Sequence, residues 1–209
     1  THNGPLVRGV ADAIFGAPLP EVQQARIDRY SDRLADSITE AALEALANRR
    51  PAQLSWQRGQ VGFAANRRTP GGPVDRRLPV LAARDADNRL VAILATYACH
   101  CTTLGAGENR VHGDWAGIAA AQLEAAHPGA VALITIGCGA DANPTPRHKP
   151  ELAEQYGKDL AAEAERLLQS PMKPVRLPLR CPTAVVELPF DDLPTLDEWK
   201  RRAEEPGAA

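Results

Sequence analysis

Aromatic residues are scarce: Phe, Trp and Tyr together make up 4% of the 209 residues. A surface that stacks nucleic-acid bases needs more of them. No charge of one sign dominates either, the formal net charge being −2 at pH 7, so electrostatics offers no case for nucleic acid. No apolar run approaches the ~20 residues needed to span a bilayer as a helix. The four cysteines are too few and too irregularly spaced for a disulfide scaffold, and the paired C-x-x-C spacing of a zinc knuckle is missing. Cys99 and Cys101 therefore read as buried free thiols. The G-x-S-x-G elbow, the phosphate-binding G-x-x-x-x-G-K-[ST] loop and the H-E-x-x-H zinc helix are also absent. Serine occurs at Ser31, Ser37, Ser55 and Ser170, none in a nucleophile setting, so a serine hydrolase has little support.

What remains is an ordinary apolar content of 44% on a length that can hold one substantial core or part of a larger one. The chain opens Thr1-His2-Asn3-Gly4-Pro5 without a methionine and stops at Ala209 just after a short helical pattern. The expectation is a fragment of a longer protein, lacking residues at both ends.

The stretch around which everything else is arranged runs from Leu90 to Gly117. Its apolar run, Leu90 to Ala98, carries Val91, Ile93, Thr96 and Tyr97 and predicts a strand buried on both faces. At its end come His100, two threonines, a glycine-rich loop and His112-Gly113-Asp114. A second strand, Val131 to Ile136, empties into Gly137-Cys138-Gly139-Ala140-Asp141-Ala142-Asn143-Pro144. Two strand ends delivering polar groups into glycine-rich loops are where an α/β protein places its chemistry.

Helical spacing covers Glu21 to Asn48, and strands are expected at Val61 to Ala65 and Leu78 to Arg84, with Asp85 to Asn88 as a hairpin turn. Asp114 reads as the N-cap of a helix to Ala126, and Pro150 precedes another over Glu151 to Gln169. Ala184 to Leu188 reads as a strand, and Thr195 to Glu198 as a capping box opening a short helix. The strand–helix–strand–helix order from Leu90 favours a parallel pair. The expected class is α/β: a mixed, largely parallel sheet with flanking helices, part of a larger catalytic domain. Residues 1–170 would form its core and 171–209 a peripheral strand and helix.

Several side chains could carry chemistry. An imidazole at a strand end, His100, suits either metal ligation or acid–base work. His112 has a direct role or merely belongs to a loop that starts a helix. His2 stands before the Asn3-Gly4-Pro5 turn, which would aim it in a fixed direction. Asp141 could orient or act as a base, and Asn143 could donate to a substrate oxygen, although Asp and Asn before Pro also stabilise turns. Arg67 and Arg68 could clamp an oxygen by fork geometry or serve as surface charge. His127, beside a helix C-terminus, reads as structural and His148 as solvated.

Five segments taken together resemble one family. These are Thr1 to Pro5, Asn66-Arg67-Arg68, Ala98-Cys99-His100-Cys101-Thr102-Thr103, Gly113-Asp114-Trp115-Ala116-Gly117 and Gly139 to Pro144. The chain is similar in them to the N-terminal catalytic domain of the neutral/alkaline ceramidases, especially bacterial relatives of unassigned substrate. That resemblance implies a zinc amidase that splits the N-acyl bond of ceramide, secreted or membrane-associated. It implies that His100 ligates Zn2+, that His2 is the second member of a His-x-His pair whose first member lies upstream, and that Arg67 binds substrate. It also puts the remaining ligands, a glutamate and a tyrosine, beyond Ala209, so that the isolated fragment would be inactive.

One departure stands out. The family's serine falls at Asn143, and asparagine cannot be the nucleophile. Attack would then fall to a metal-activated water, with Asn143, Asp141, His112 and His2 as the catalytic set, on ceramide or another amide or ester. The alternative is a non-catalytic member that keeps the fold and binds a ligand. A third possibility is a domain whose loop histidines serve only structure, which requires that His2, Arg67, His100 and Asn143 do not converge.

Overall fold

The computed structural model describes residues 3–10, 16, 18–105, 107–176, 178, 180–190 and 192–205. They fall into two compact units, Thr1–Val175 and Arg176–Ala209. In the first unit the elements are α1 (Glu21–Ala47), β1 (Gln53–Gln60), β2 (Ala64–Asn66), β3 (Arg77–Arg84), β4 (Leu90–Tyr97), α2 (Asp114–Ala126), β5 (Val131–Ile136), β6 (Ala142–Pro144), α3 (Pro150–Leu168) and β7 (Lys173–Pro174). The second unit carries α4 (Leu196–Glu204).

The main sheet has five strands in the order β5-β4-β3-β1-β7, and β2 pairs with β6 in a separate ribbon. Strands β1, β3, β4 and β7 pair antiparallel, and β4 with β5 is the parallel pair that the intervening helix requires. The mixed α/β class is as expected, but the sheet is mostly antiparallel rather than largely parallel. The reason is β1, a strand not anticipated from its polar QLSWQRGQ sequence, which joins β3 antiparallel along its whole length. The β3–β4 hairpin turns as predicted: the Asn88 amide donates to the Asp85 carbonyl at 3.0 Å, and Asn88 takes the left-handed φ of 62° that this turn demands.

Helices α2 and α3 cover one face of the sheet. Leu78, Val80 and Ala82 of β3 and Ile93, Ala95 and Tyr97 of β4 are buried on that side, against Trp115, Ala119 and Leu123 of α2 and Leu160, Ala164 and Leu167 of α3. Helix α3 starts with Pro150 in its own first turn, carries Glu151 there and Arg166 in its last, and so suits the helix dipole at both ends. The helices approach closely because Gly157 has no side chain: a Cβ there would stand 2.6 Å from Ile118 Cβ and 2.9 Å from the Trp115 carbonyl. Below the end of β4, Phe63 packs on Tyr97, Trp115 and Tyr156 with ring centroids 4.8, 5.5 and 4.4 Å away.

On the other face the side chains are half-buried or exposed. Trp56, Leu81, Leu94 and Leu133 lie opposite one another in register across four strands. Leu81 and Leu94 are half-buried, whereas Trp56 and Leu133 are 39% and 55% exposed. The β4 strand expected to be buried on both faces thus alternates, buried at Ile93, Ala95 and Tyr97 and only half-buried between. Apolar residues on both faces do not by themselves say that both are covered.

Helix α1 spans nearly the residues predicted, yet buries none of them; Val22, Ile38, Leu43 and Leu46 stay exposed. The expected Val61 to Ala65 strand is displaced to Ala64–Asn66. The Ala184 to Leu188 strand does not form, and Val185 and Leu188 are 97% and 84% exposed. Without a neighbouring strand to hydrogen-bond, β-prone residues gain nothing from the conformation. The capping box is present: Thr195 Oγ1 accepts from the Glu198 amide while the Glu198 carboxylate accepts from the Thr195 amide.

Candidate functional site

The parallel β4–β5 pair ends at Tyr97 and Ile136, so the segments that follow leave the sheet at the same edge. The Gly137–Asp141 segment then folds back against the start of the His100 loop. The Gly137 amide donates to the Tyr97 carbonyl at 3.0 Å, and the His100 amide to the Ala142 carbonyl at 2.9 Å. This apposition depends on Gly139, since a Cβ there would run into Cys99 N and the Ala98 carbonyl carbon. The β2–β6 ribbon adds a third piece, pairing Ala65 with Asn143 and Asn66 with Ala142. Just beyond β2, the Arg67 amide donates to the Asp141 carbonyl at 2.7 Å.

Side chains meet on one atom. Arg67 Nε donates to the Ala140 carbonyl oxygen at 2.9 Å, and His100 Nε2 lies 3.2 Å from the same oxygen. A carbonyl only accepts, so this contact selects the Nε2–H tautomer of His100. Arg67 is exposed, and among the described residues its two Nη groups bond nothing, leaving a fork for an outside acceptor. Asp141 is tied to the same ribbon, its Oδ2 accepting from Asn66 Nδ2 at 3.1 Å. Asn66 also turns the chain, its Oδ1 accepting from the Arg68 and Thr69 amides at 3.0 and 2.9 Å.

Asn143 is buried in β6, and its Oδ1 accepts from Thr102 Oγ1 at 3.2 Å. Arg67, His100, Asp141 and Asn143 therefore assemble around one loop, Gly139 to Asn143. Of His2, Arg67, His100 and Asn143, the last three adjoin this loop. His2 lies outside the described residues. Its neighbour Asn3 accepts through its carbonyl from the His112 amide at 3.0 Å, which joins the amino-terminal turn to the Val111–Gly113 segment. His112 Nδ1 accepts from the Asp114 amide at 2.8 Å, so His112 is held by the start of α2 rather than by the Ala140 loop. Arg68 is exposed and takes part through its backbone. His127 is structural as expected, its Nε2 meeting Glu165 Oε1 of α3 at 2.7 Å.

Several contributors were not visible in the sequence. The hub is a backbone atom, Ala140 O, which no side-chain pattern reveals. In the sequence Thr102 and Trp115 stand out only as parts of motifs. Asp114 is not the cap: Gly113 occupies that position, and Asp114 is fully buried with φ 53°. Beneath the site, burial pushes the Cys101 thiol up to about 11 and Cys99 higher still, each also facing the Asp114 charge. Burial likewise pushes the Tyr97 phenol up to about 12, while its hydroxyl donates to the Val61 carbonyl at 2.9 Å.

A cleft of about 620 Å3 adjoins the loop, lined by Gln60, Val74, Asp75, Arg76, Cys138 and Asp141 among others. At its rim the Arg77 guanidinium holds the Asp75 carboxyl down to about 2. No group of three or more His, Cys, Asp or Glu that could hold a metal ion occurs among the described residues. No described helix is long and apolar enough to cross a membrane.

The structure superposes on the neutral ceramidase from Pseudomonas aeruginosa with a TM-score of 0.62 at 19% identity, over 69% of this chain and 27% of that one. A structure of a ceramidase complexed with C2 gives 0.57 at 19% identity, over 63% of this chain and 24% of that one. This is a neutral ceramidase-like fold. The chain spans about a quarter of the length of those two proteins. No protein-family model matches it, and no curated protein does. At this identity the likeness speaks to the fold and not to the reaction.

Proposed function

We propose that this chain contributes part of the catalytic site of a neutral ceramidase-type hydrolase that cleaves an N-acyl amide bond, in ceramide or in another amide or ester. The observation that carries the reading is the convergence of Arg67 and His100 on the Ala140 carbonyl, at a strand-end edge beside an open cleft. The fold likeness points the same way.

In this reading Arg67 binds substrate. Its Nε anchors the guanidinium on the loop, and its Nη fork hydrogen-bonds a substrate carbonyl or hydroxyl oxygen. With its Oδ1 engaged by Thr102, Asn143 has an amide N–H to offer an oxygen that gains charge. Asp141 holds the ribbon through Asn66 and offers a carboxylate to orient a proton donor. His112, whose amide donates to the Asn3 carbonyl at 3.0 Å, is the remaining member among the described residues.

His100 fits as one ligand of a Zn2+ ion. A ring N–H donated to a backbone carbonyl is the arrangement that fixes the tautomer of a metal-bound histidine. The described residues hold no further cluster, so the other ligands would come from outside them. When bound, the ion would polarise the scissile carbonyl and make water a nucleophile near neutral pH.

The second reading, a ligand-binding member without turnover, is favoured by one feature: Asn143 is buried, bonded to Thr102, and unable to act as a nucleophile. Metal analysis of the full-length protein together with an amide-hydrolysis assay decides between them. The hydrolase reading expects bound zinc, with His100→Ala losing both the metal and turnover. Protein that purifies without zinc, gains none on addition and releases no fatty acid from N-acyl substrates would establish the binding reading instead.

A further inference from the structure

Among the described residues Asp114 is the one charged side chain that is buried, at 0% exposure. Three backbone amides, rather than a cation, hold its carboxylate. Oδ2 accepts from Thr103 N at 2.8 Å and Leu104 N at 3.2 Å, and Oδ1 accepts from Trp115 N at 2.7 Å. Asp114 also sits at φ 53°, a left-handed region that most residues with a side chain avoid and that Asp enters more readily than most. A buried carboxylate without a counter-charge and a left-handed backbone each oppose folding, and such features persist where surrounding structure and function require them.

What the carboxylate reaches is specific. Thr103 and Leu104 belong to the loop that leaves His100, and the Thr103 hydroxyl is buried with no hydrogen-bond partner. That part of the loop is secured through its amides to Asp114 and through the Thr103 carbonyl, which accepts from the His148 amide at 2.6 Å. The next residue completes the grip: Trp115, wholly buried, donates from Nε1 to the His100 carbonyl at 3.0 Å. The loop that leaves His100 is thus held from behind by two consecutive residues of α2, Trp115 at His100 itself and Asp114 at Thr103 and Leu104, while the His100 ring meets Ala140 O in front.

We propose that Asp114 is a positioning residue that, with the Trp115 indole, fixes His100 so that its Nε2–H stays on the Ala140 carbonyl. The catalytic consequence rests on the hydrolase reading; the effect on the His100 ring does not.

The test uses Asp114→Asn and Trp115→Phe in the full-length protein. Asp114→Asn keeps the size and one acceptor oxygen but sets an NH2 against an amide donor; Trp115→Phe fills the core without the Nε1–H. Thermal unfolding reports folding. Long-range 1H–15N spectra, with His100 assigned by its loss in His100→Gln, report which ring nitrogen carries the proton. The wild type is expected to show the Nε2–H tautomer and each folded variant a mixture. On an N-acyl substrate kcat should drop by roughly 10- to 100-fold, as for other outer-shell partners of a functional histidine, with KM within about threefold.

If Asp114→Asn melts earlier but keeps an unchanged His100 signature, Asp114 is structural only and the proposal is overturned. If Asp114→Asn does not fold, Trp115→Phe decides alone, and an unchanged signature there overturns it equally. A mixed tautomer in a protein whose wild type hydrolyses nothing upholds the positioning role and discards the hydrolase reading.

Discussion

Arg67 and His100 share one acceptor, the Ala140 carbonyl oxygen, at 2.9 and 3.2 Å. One residue follows the ribbon strand β2 and the other follows β4 of the main sheet, so the loop between them acts as a joint. Whatever disturbs that joint should be felt by both side chains.

Arg67 separates anchoring from binding. Arg67→Lys retains charge but cannot hold the loop with one nitrogen and present a planar fork with the others. On an N-acyl substrate KM should rise about 10-fold with little change in kcat, as for one charge-assisted hydrogen bond of ~1.5 kcal/mol. Steady-state kinetics of Arg67→Lys and Arg67→Ala check this, and an unchanged KM in both would remove Arg67 from the substrate site.

Gly139 is required by close approach rather than by an unusual φ. A methyl group there would meet the backbone at Ala98 and Cys99, which cannot swing aside as a side chain could. Gly139→Ala should cost ~1–3 kcal/mol, the usual range for overpacking. Urea unfolding measures it, and the same variant should weaken the Nε2–H signature of His100.

The thiols divide cleanly. Cys99 and Cys101 are buried, whereas Cys138 and Cys181 are exposed. A thiol reagent at pH 8 should label Cys138 and Cys181 promptly and the other two only on unfolding, with mass spectrometry giving the count. Burial raises the folded-state pKa of both buried thiols, with Cys101 at about 11. Their preference for the folded state is therefore complete below the unfolded value of ~8.5 and fades as pH rises through the folded one. Stability should decline between those limits, and Cys101→Ala should flatten part of the slope. A decline that Cys101→Ala leaves untouched would assign it to other groups.

The less buried sheet face offers a solution test. The row Trp56, Leu81, Leu94 and Leu133 forms an apolar band across four strands. Such a surface drives association in water. Leu94→Glu with Leu133→Glu should leave the melting temperature of this chain nearly unchanged and lower its concentration-dependent mass in light scattering. Equal association by both proteins would show that the band is not the contact.

Much of the architecture was legible one residue at a time. The β4 strand, helices α1 to α3 and the capping box of α4 follow from apolar spacing and end signals, which are local properties of the chain. So does the nomination of His100, because an imidazole after an apolar strand has few places to go. The five short motifs pointed to the fold that the solved ceramidases share.

Tertiary structure alone decided the rest. Strand direction depends on which neighbour a strand finds, and the polar β1 sequence gave no sign that it would pair antiparallel beside β3. Covering only one face of the sheet made β4 alternate in burial despite an apolar sequence throughout. The meeting of Arg67 and His100 on Ala140 O involves a backbone oxygen, identical in every residue and so silent in the sequence. Asp114 shows the same limit most clearly. Before a helix an aspartate reads as a cap, and only the folded chain shows its carboxylate turned inward to hold the loop that carries His100.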